Sequence, residues 1–290
     1  MLLSLFKLAR PTQWLKNGVV LAALIFAGEA TNIHHVEIAL IATVLFCLMS
    51  SAVYTLNDLI DRKRDIQHPL KKERPLASGS VSAGAAVVFM ILLGGVALAG
   101  AWYINPYFFI TGAIYIALNV VYSLWWKNVV ILDVMSIAVG FVLRAYAGAF
   151  AIGVPASKWL LINALLLALF LALGKRRNEL VFLEEDAVAH RKILSRYSPY
   201  LLDQLIGIVT ASVVVVYMLY SFSAEVSTKL GTENLFLTIP FVVYGIFRYL
   251  YLIHKEERGG SPTRVLIGDR PLLIDVILWL VTVIIVLYIA

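Results

Sequence analysis

The stretch Asn57-Asp58-Leu59-Ile60-Asp61-Arg62-Lys63-Arg64-Asp65 follows directly on an apolar run, residues 36–56, that is long enough to cross a membrane. Steps of three and four residues return a helix to the same side, so carboxylates at 58, 61 and 65 share one face. Three acids stacked on one face repel each other unless a cation holds them. A hard divalent cation such as Mg²⁺, bound through oxygens and shared with substrate phosphates, would do so. The stretch therefore reads as part of an enzyme that handles a diphosphate at a membrane surface. The plainer reading is a solvated, mixed-charge loop after a membrane helix, but the Asn-Asp-x-x-Asp-x-x-x-Asp spacing is hard to obtain by accident.

The rest of the chain supplies the membrane. Of its 290 residues 61% are hydrophobic and only 14% charged, with a mean hydropathy of +0.87. A soluble domain would carry about 25% charged residues. Nine spans are predicted, near 15–31, 36–56, 82–103, 105–124, 129–151, 158–175, 201–224, 235–254 and 271–289, with sharp turns at Asn105-Pro106 and Gly153-Val154-Pro155. This is an all-α, polytopic membrane protein, read as one transmembrane domain over residues 1–290. The first apolar segment has no small-residue cleavage site and is not expected to be removed. Cys47, the single cysteine, lies in an apolar run and reads as packing.

Charge placement predicts the orientation. The N-terminus and the segments after spans two, four, six and eight hold 20 of the 24 basic residues, whereas the opposite face holds Lys158 and Lys229. The basic face is then cytoplasmic, the N-terminus inside and, with nine spans, the C-terminus outside. The larger cytoplasmic loops, near 57–81, 176–200 and 255–270, are placed to cap a cavity. The net charge of +6 suits topology and anionic substrates or headgroups; nucleic-acid binding does not fit a membrane-embedded chain.

Four further groups of residues bear on chemistry. Gln67-His68-Pro69-Leu70-Lys71-Lys72-Glu73-Arg74 follows the acids with bases suited to phosphate oxygens. Arg10-Pro11-Thr12-Gln13-Trp14-Leu15-Lys16-Asn17 reads as an interfacial anchor, as a contributor to the site, or as both. Asp133, Ser136, Gly140, Arg144 and Gly148 form one polar or small stripe on the fifth span. An intramembrane Arg is costly and normally faces a cavity or a partner; the alternative is a close helix contact through the glycines. Gly174-Lys175-Arg176-Arg177-Asn178-Glu179 ends the sixth span, as topology-setting charge or as a second phosphate grip. Weaker signals are Tyr122 and Lys127 at the end of span four, Arg248 inside span eight, and Asp269, which with Pro271 suits a helix cap. The five histidines show no ligand spacing and read as surface residues.

These residues resemble the UbiA-type superfamily of intramembrane prenyltransferases. That resemblance implies nine transmembrane helices around a central cavity open to the cytoplasmic side, and a first aspartate motif that binds Mg²⁺ and a diphosphate. Asn57, Asp58, Asp61 and Asp65 match it as metal residues, with Asp58 and Asp61 essential to catalysis. Most of the superfamily carries a second aspartate-rich motif after the sixth helix, where this chain has Lys175-Arg176-Arg177-Asn178-Glu179. In that departure it is similar to the decaprenyl-phosphate phosphoribosyltransferase branch. So are Arg10-Pro11 with Lys16-Asn17, His68-Pro69 with Arg74-Pro75, Arg144-Ala145 with Ala147-Gly148, Glu179-Leu180, and Gly268-Asp269-Arg270.

The branch implies transfer of a 5-phosphoribosyl group from 5-phosphoribosyl 1-diphosphate to a polyprenyl phosphate. It implies a multi-pass protein of a prokaryotic cytoplasmic membrane that feeds cell-envelope synthesis from an active site on the cytoplasmic side. Lys175, Arg176 and Glu179 then form the second grip, with Lys71 and Arg74 as competitors for the 5-phosphate. Lys16, with Asn17 beside it, Arg144 or Arg248 would position the acceptor phosphate, and Tyr122 would hydrogen-bond a substrate. Membrane lipid is an expected partner, and assembly of identical chains is left open. Two rivals are an aromatic or lipid prenyltransferase, with Glu179, Glu184, Glu185 and Asp186 as a degenerate second acidic cluster, and a non-enzymatic carrier.

Overall fold

The computed structural model describes residues 2–67, 71–183, 192–256 and 260–289; His68, Pro69, Glu184, Glu185, Asp186 and His190 lie outside them. Among the described residues every regular element is helical. The α-helices are α1 (Leu2–Leu8), α2 (Val19–Phe26), α3 (Ile33–Gln67), α4 (Ala83–Ile104), α5 (Pro106–Leu124), α6 (Leu132–Ala151), α7 (Lys158–Leu183), α8 (Pro199–Ser221), α9 (Ala224–Leu230), α10 (Ile239–His254), α11 (Pro262–Gly268) and α12 (Arg270–Tyr288). Eight segments, built on α3 to α8, α10 and α12, are long and apolar enough to cross a membrane. The chain is a multi-pass membrane protein.

The element ends follow local chemistry. Asn105 caps α5 by accepting from the Tyr107 amide at 2.7 Å, with Pro106 in the first turn. Ser82 and Ser198 cap α4 and α8 in the same way. Asp269 caps α12 through the Leu272 amide at 3.0 Å, as its place before Pro271 suggested. Two expectations differ. The acids sit on a helix, as their spacing predicts, but the cap loop expected near 57–81 does not begin at 57: α3 runs on to Gln67, because no glycine or proline interrupts residues 33–67. The expected first span is a 3-10 helix, Pro11–Gly18, followed by the eight-residue α2. Together they extend about 28 Å, at roughly 2.0 Å per 3-10 residue and 1.5 Å per α residue.

The contacts divide the chain into two compact units. The first comprises Met1–Leu24 and Asn32–Ala156, the second Ile25–Thr31 and Ser157–Ala290. In the first, α3 packs on α4, α5 and α6 around Phe46, Met49, Val53, Phe108 and Tyr115. At Gly148 on α6 the α2 backbone comes so close that a Cβ would stand 2.0 Å from the Val20 carbonyl oxygen. In the second, α7 packs on α8 and α10 on α12, and Tyr217, Tyr220, Val226, Leu235 and Val286 form a core.

Candidate active site

The aspartates lie where the first unit turns polar. Asp58 and Asp65 are seven residues apart on α3, two turns along one face, and are only 2% and 4% exposed. Buried carboxylates need partners, and each has one. The Nη1 of Arg74 donates to Asp58 Oδ1 at 3.0 Å and to Asp65 Oδ2 at 2.7 Å. Arg10 also pairs with Asp58. Lys127 Nζ donates to Asp61 Oδ1 at 2.6 Å. Asn57 accepts from Ser123 Oγ at 3.3 Å.

Each base is delivered by its own local structure. The segment from Lys71 to Val81 is a knot of short turns. The Ser78 amide donates to the Arg74 carbonyl at 2.8 Å, and the Val81 amide to that of Pro75 at 3.0 Å. Arg62 Nε ties it to α3 through the Leu76 carbonyl at 3.1 Å, and Leu76 and Val81 bury against Leu8 and Ala86. Arg10 adopts a left-handed backbone (φ 54°) ahead of Pro11 and lies over the Tyr54 ring. For a side-chain-bearing residue that conformation costs roughly 1–2 kcal/mol, and it is found here in a residue that reaches the acids. Lys127 comes from the 3-10 turn Trp126–Asn128 between α5 and α6 and is buried.

The donor set suits a hard cation. Among the described residues no three His, Cys, Asp or Glu side chains make a closed cage. Mg²⁺ uses one or two carboxylates and takes its other oxygens from water and phosphate. Asp58 and Asp65 already share one cationic nitrogen, so a small cation fits between them on geometry and charge.

A second polar cluster lies farther along the same unit. Arg144 on α6 is 4% exposed. Its Nε donates to Asn17 Oδ1, its Nη1 to the Gly140 carbonyl and its Nη2 to Tyr115 Oη, each at 2.8 Å. Its guanidinium also stands over the rings of Tyr115, Phe141 and Phe46. Asn17 is wholly buried; it accepts from Ser50 Oγ as well and donates to Cys47 Sγ. It therefore serves the site by holding Arg144. Lys16, beside it in the 3-10 helix, has no hydrogen bond or carboxylate partner among the described residues.

The stripe on α6 follows the packing reading: Gly148 makes a close helix contact, and Arg144 is paired with Asn17, Gly140 and Tyr115 and not with Asp133, itself fully buried. Tyr122 and Lys71 are half-buried in the first unit. The other named residues belong to the second unit. There Arg176 is 1% exposed and donates to Glu179 at 2.7 Å, while Lys175 lies 3.5 Å from the same carboxylate with its side chain 39% exposed. Lys175 is therefore the reachable cation of that pair. Arg248 is gripped by both oxygens of Asp269, at 3.1 and 2.8 Å, and lies over Tyr251.

The model of the UbiA prenyltransferase family matches residues 18–268. The chain belongs to the UbiA prenyltransferase family. Within it, the chain is 32% identical over 291 residues to a decaprenyl-phosphate phosphoribosyltransferase of Corynebacterium glutamicum, covering 98% of this chain and 87% of that protein. A protein of the same name from Mycobacterium tuberculosis is 33% identical over 281 residues, covering 96% and 92%. In fold, the chain is similar to a UbiA homolog from Archaeoglobus fulgidus bound to GPP and Mg²⁺, with a TM-score of 0.72, 21% identity and coverage of 99% of this chain and 100% of that one.

Against this UbiA-family frame, Lys127 and Arg10 are the contacts that sequence reading undervalued. Lys127 stands alone at the end of a span, and one base there is explained equally well by topology. Its pairing with Asp61 spans 66 positions, and no local spacing announces it. Arg10 carried a weak signal in the Arg-Pro dipeptide.

Proposed function

We propose that this UbiA-family protein transfers a 5-phosphoribosyl group from 5-phosphoribosyl 1-diphosphate to a polyprenyl phosphate and releases diphosphate. The observation that carries the reading is the set Asp58, Asp61 and Asp65, with Asp58 and Asp65 buried and Asp61 half-buried, interleaved with Arg10, Arg74 and Lys127 at one end of α3. Acids for a cation and bases for phosphate oxygens, side by side, are what a leaving diphosphate requires. The names of the corynebacterial and mycobacterial relatives support the choice of sugar donor and acceptor.

An acceptor phosphate oxygen bonds to the ribose C1 as the bond from C1 to the diphosphate oxygen breaks. The diphosphate leaves with the electron pair. The acceptor is already anionic near neutral pH, so no strong base is required. Bound Mg²⁺ supplies positive charge for the leaving group. Asp58, Asp61 and Asp65 would hold it, with Asn57 orienting the set. Arg74, Arg10 and Lys127 draw the diphosphate against α3. Lys71, in the same unit as the aspartates, serves the sugar 5-phosphate. We place the site on the cytoplasmic side of a prokaryotic cytoplasmic membrane, with the N-terminus inside and one transmembrane domain over the whole chain.

Purified protein given labelled 5-phosphoribosyl 1-diphosphate, polyprenyl phosphate and Mg²⁺ should yield a labelled lipid that mass spectrometry identifies as polyprenylphosphoryl 5-phosphoribose. Turnover of a prenyl diphosphate with an aromatic acid, and none of the sugar donor, would overturn the proposal.

A further inference from the structure

Three cations were open to the acceptor phosphate on sequence grounds, and their partners separate them. Arg248 is neutralised by Asp269. Arg144 and Lys16 meet no carboxylate among the described residues. Arg144 spends its three hydrogen bonds on neutral acceptors, although a guanidinium offers five N–H groups. The faces of Phe46, Tyr115 and Phe141 offset part of the cost of this nearly buried charge, but it has no carboxylate counter-ion among the described residues and so attracts an anion. Lys16 adds a second uncompensated charge, adjacent in sequence to the Asn17 that holds Arg144.

Depth distinguishes this pair from the aspartate cluster. Asn17 accepts from Ser50, eight residues before Asp58 on α3 and so about 12 Å farther into the span. A sugar phosphate arrives from water and meets the aspartates first. A phosphate carried on a lipid tail is presented from the membrane level, where Lys16 and Arg144 lie.

We infer that Lys16 and Arg144 form a second anion site in the first unit, distinct from the aspartate cluster, that takes the phosphate monoester of a lipid. The inference rests on the phosphoribosyl-transfer reading and names the acceptor's place within it. Lys16 touches the phosphate. Arg144, fixed by Asn17, Tyr115 and Gly140, supplies the deeper charge. The sugar 5-phosphate has the same chemistry and is the competing occupant.

Binding of farnesyl phosphate to wild type and variants, followed by calorimetry in detergent without donor or Mg²⁺, tests the site, with farnesol as the uncharged control. Loss of one charge-assisted contact should weaken farnesyl phosphate about tenfold or more in Lys16→Met. Lys16→Arg should restore most of the affinity, and farnesol should not distinguish the variants. In turnover the KM for polyprenyl phosphate should rise in Lys16→Met while that for 5-phosphoribosyl 1-diphosphate stays within about twofold. Unchanged farnesyl phosphate binding, or a KM increase confined to the sugar donor, overturns the inference. If Lys16→Met loses its thermal transition, Lys16→Gln against Lys16→Arg decides by the same criteria. A wild type that binds farnesyl phosphate through Lys16 yet makes no phosphoribosyl lipid supports the site and rejects the reaction.

Discussion

Asp58 answers to two guanidinium groups, Arg10 and Arg74, while Asp61 is hydrogen-bonded to Lys127 with the exposed Arg64 4.0 Å away. Removing either acid should abolish turnover, because each withdraws an oxygen donor from the cation and frees a base from its place. Asp58→Ala and Asp61→Ala should keep their helical circular dichroism and lose labelled-lipid formation; wild-type turnover in either removes the metal role.

At the level of the helices, one close approach sets the first unit. Leucine at position 148 has no room against the Val20 carbonyl. Gly148→Leu should lower the thermal midpoint in detergent, with a cost of about 1–3 kcal/mol or more for overpacking; an unchanged midpoint would mean that α2 is not held there. Much of this level was open to sequence reading. Apolar runs located the spans, and Asn105, Pro106 and Asp269 marked ends that the structure keeps. What hydropathy missed was where a helix goes once it turns polar. Asn57 to Gln67 are ordinary helix residues, so α3 continues to Gln67, just before His68-Pro69, a dipeptide that disfavours helix at the residue ahead of proline. Conversely, the predicted span 15–31 opens on Leu15-Lys16-Asn17-Gly18, which end a 3-10 helix with the Asn17 side chain buried, so the apolar run proper is only the eight residues of α2. The aspartate spacing announced the acids. Their bases come from 48, 16 and 66 positions away for Arg10–Asp58, Arg74–Asp58 and Lys127–Asp61, and only the fold brings them in.

Across the entire chain, orientation is the property most open to test. If the composite of the N-terminal 3-10 helix and α2 crosses the bilayer, the two termini lie on opposite sides. An alkaline phosphatase fused to the C-terminus should then be active in cells while a green fluorescent protein there stays dark; the reverse result would put both ends inside. One further property belongs to the length of α3. Its 35 residues extend about 52 Å, well beyond a hydrocarbon core of about 30 Å. The carboxylates therefore ride on a rigid lever embedded in the bilayer. Arg74 is lashed to that lever through Arg62 and Leu76, but Lys127 hangs from the turn between α5 and α6. Bilayers of different thickness change helix tilt, and tilt of α3 slides Asp61 past Lys127 while leaving Asp58 and Asp65 with Arg74. The acyl-chain length of the host membrane thereby becomes a tuning variable for the enzyme.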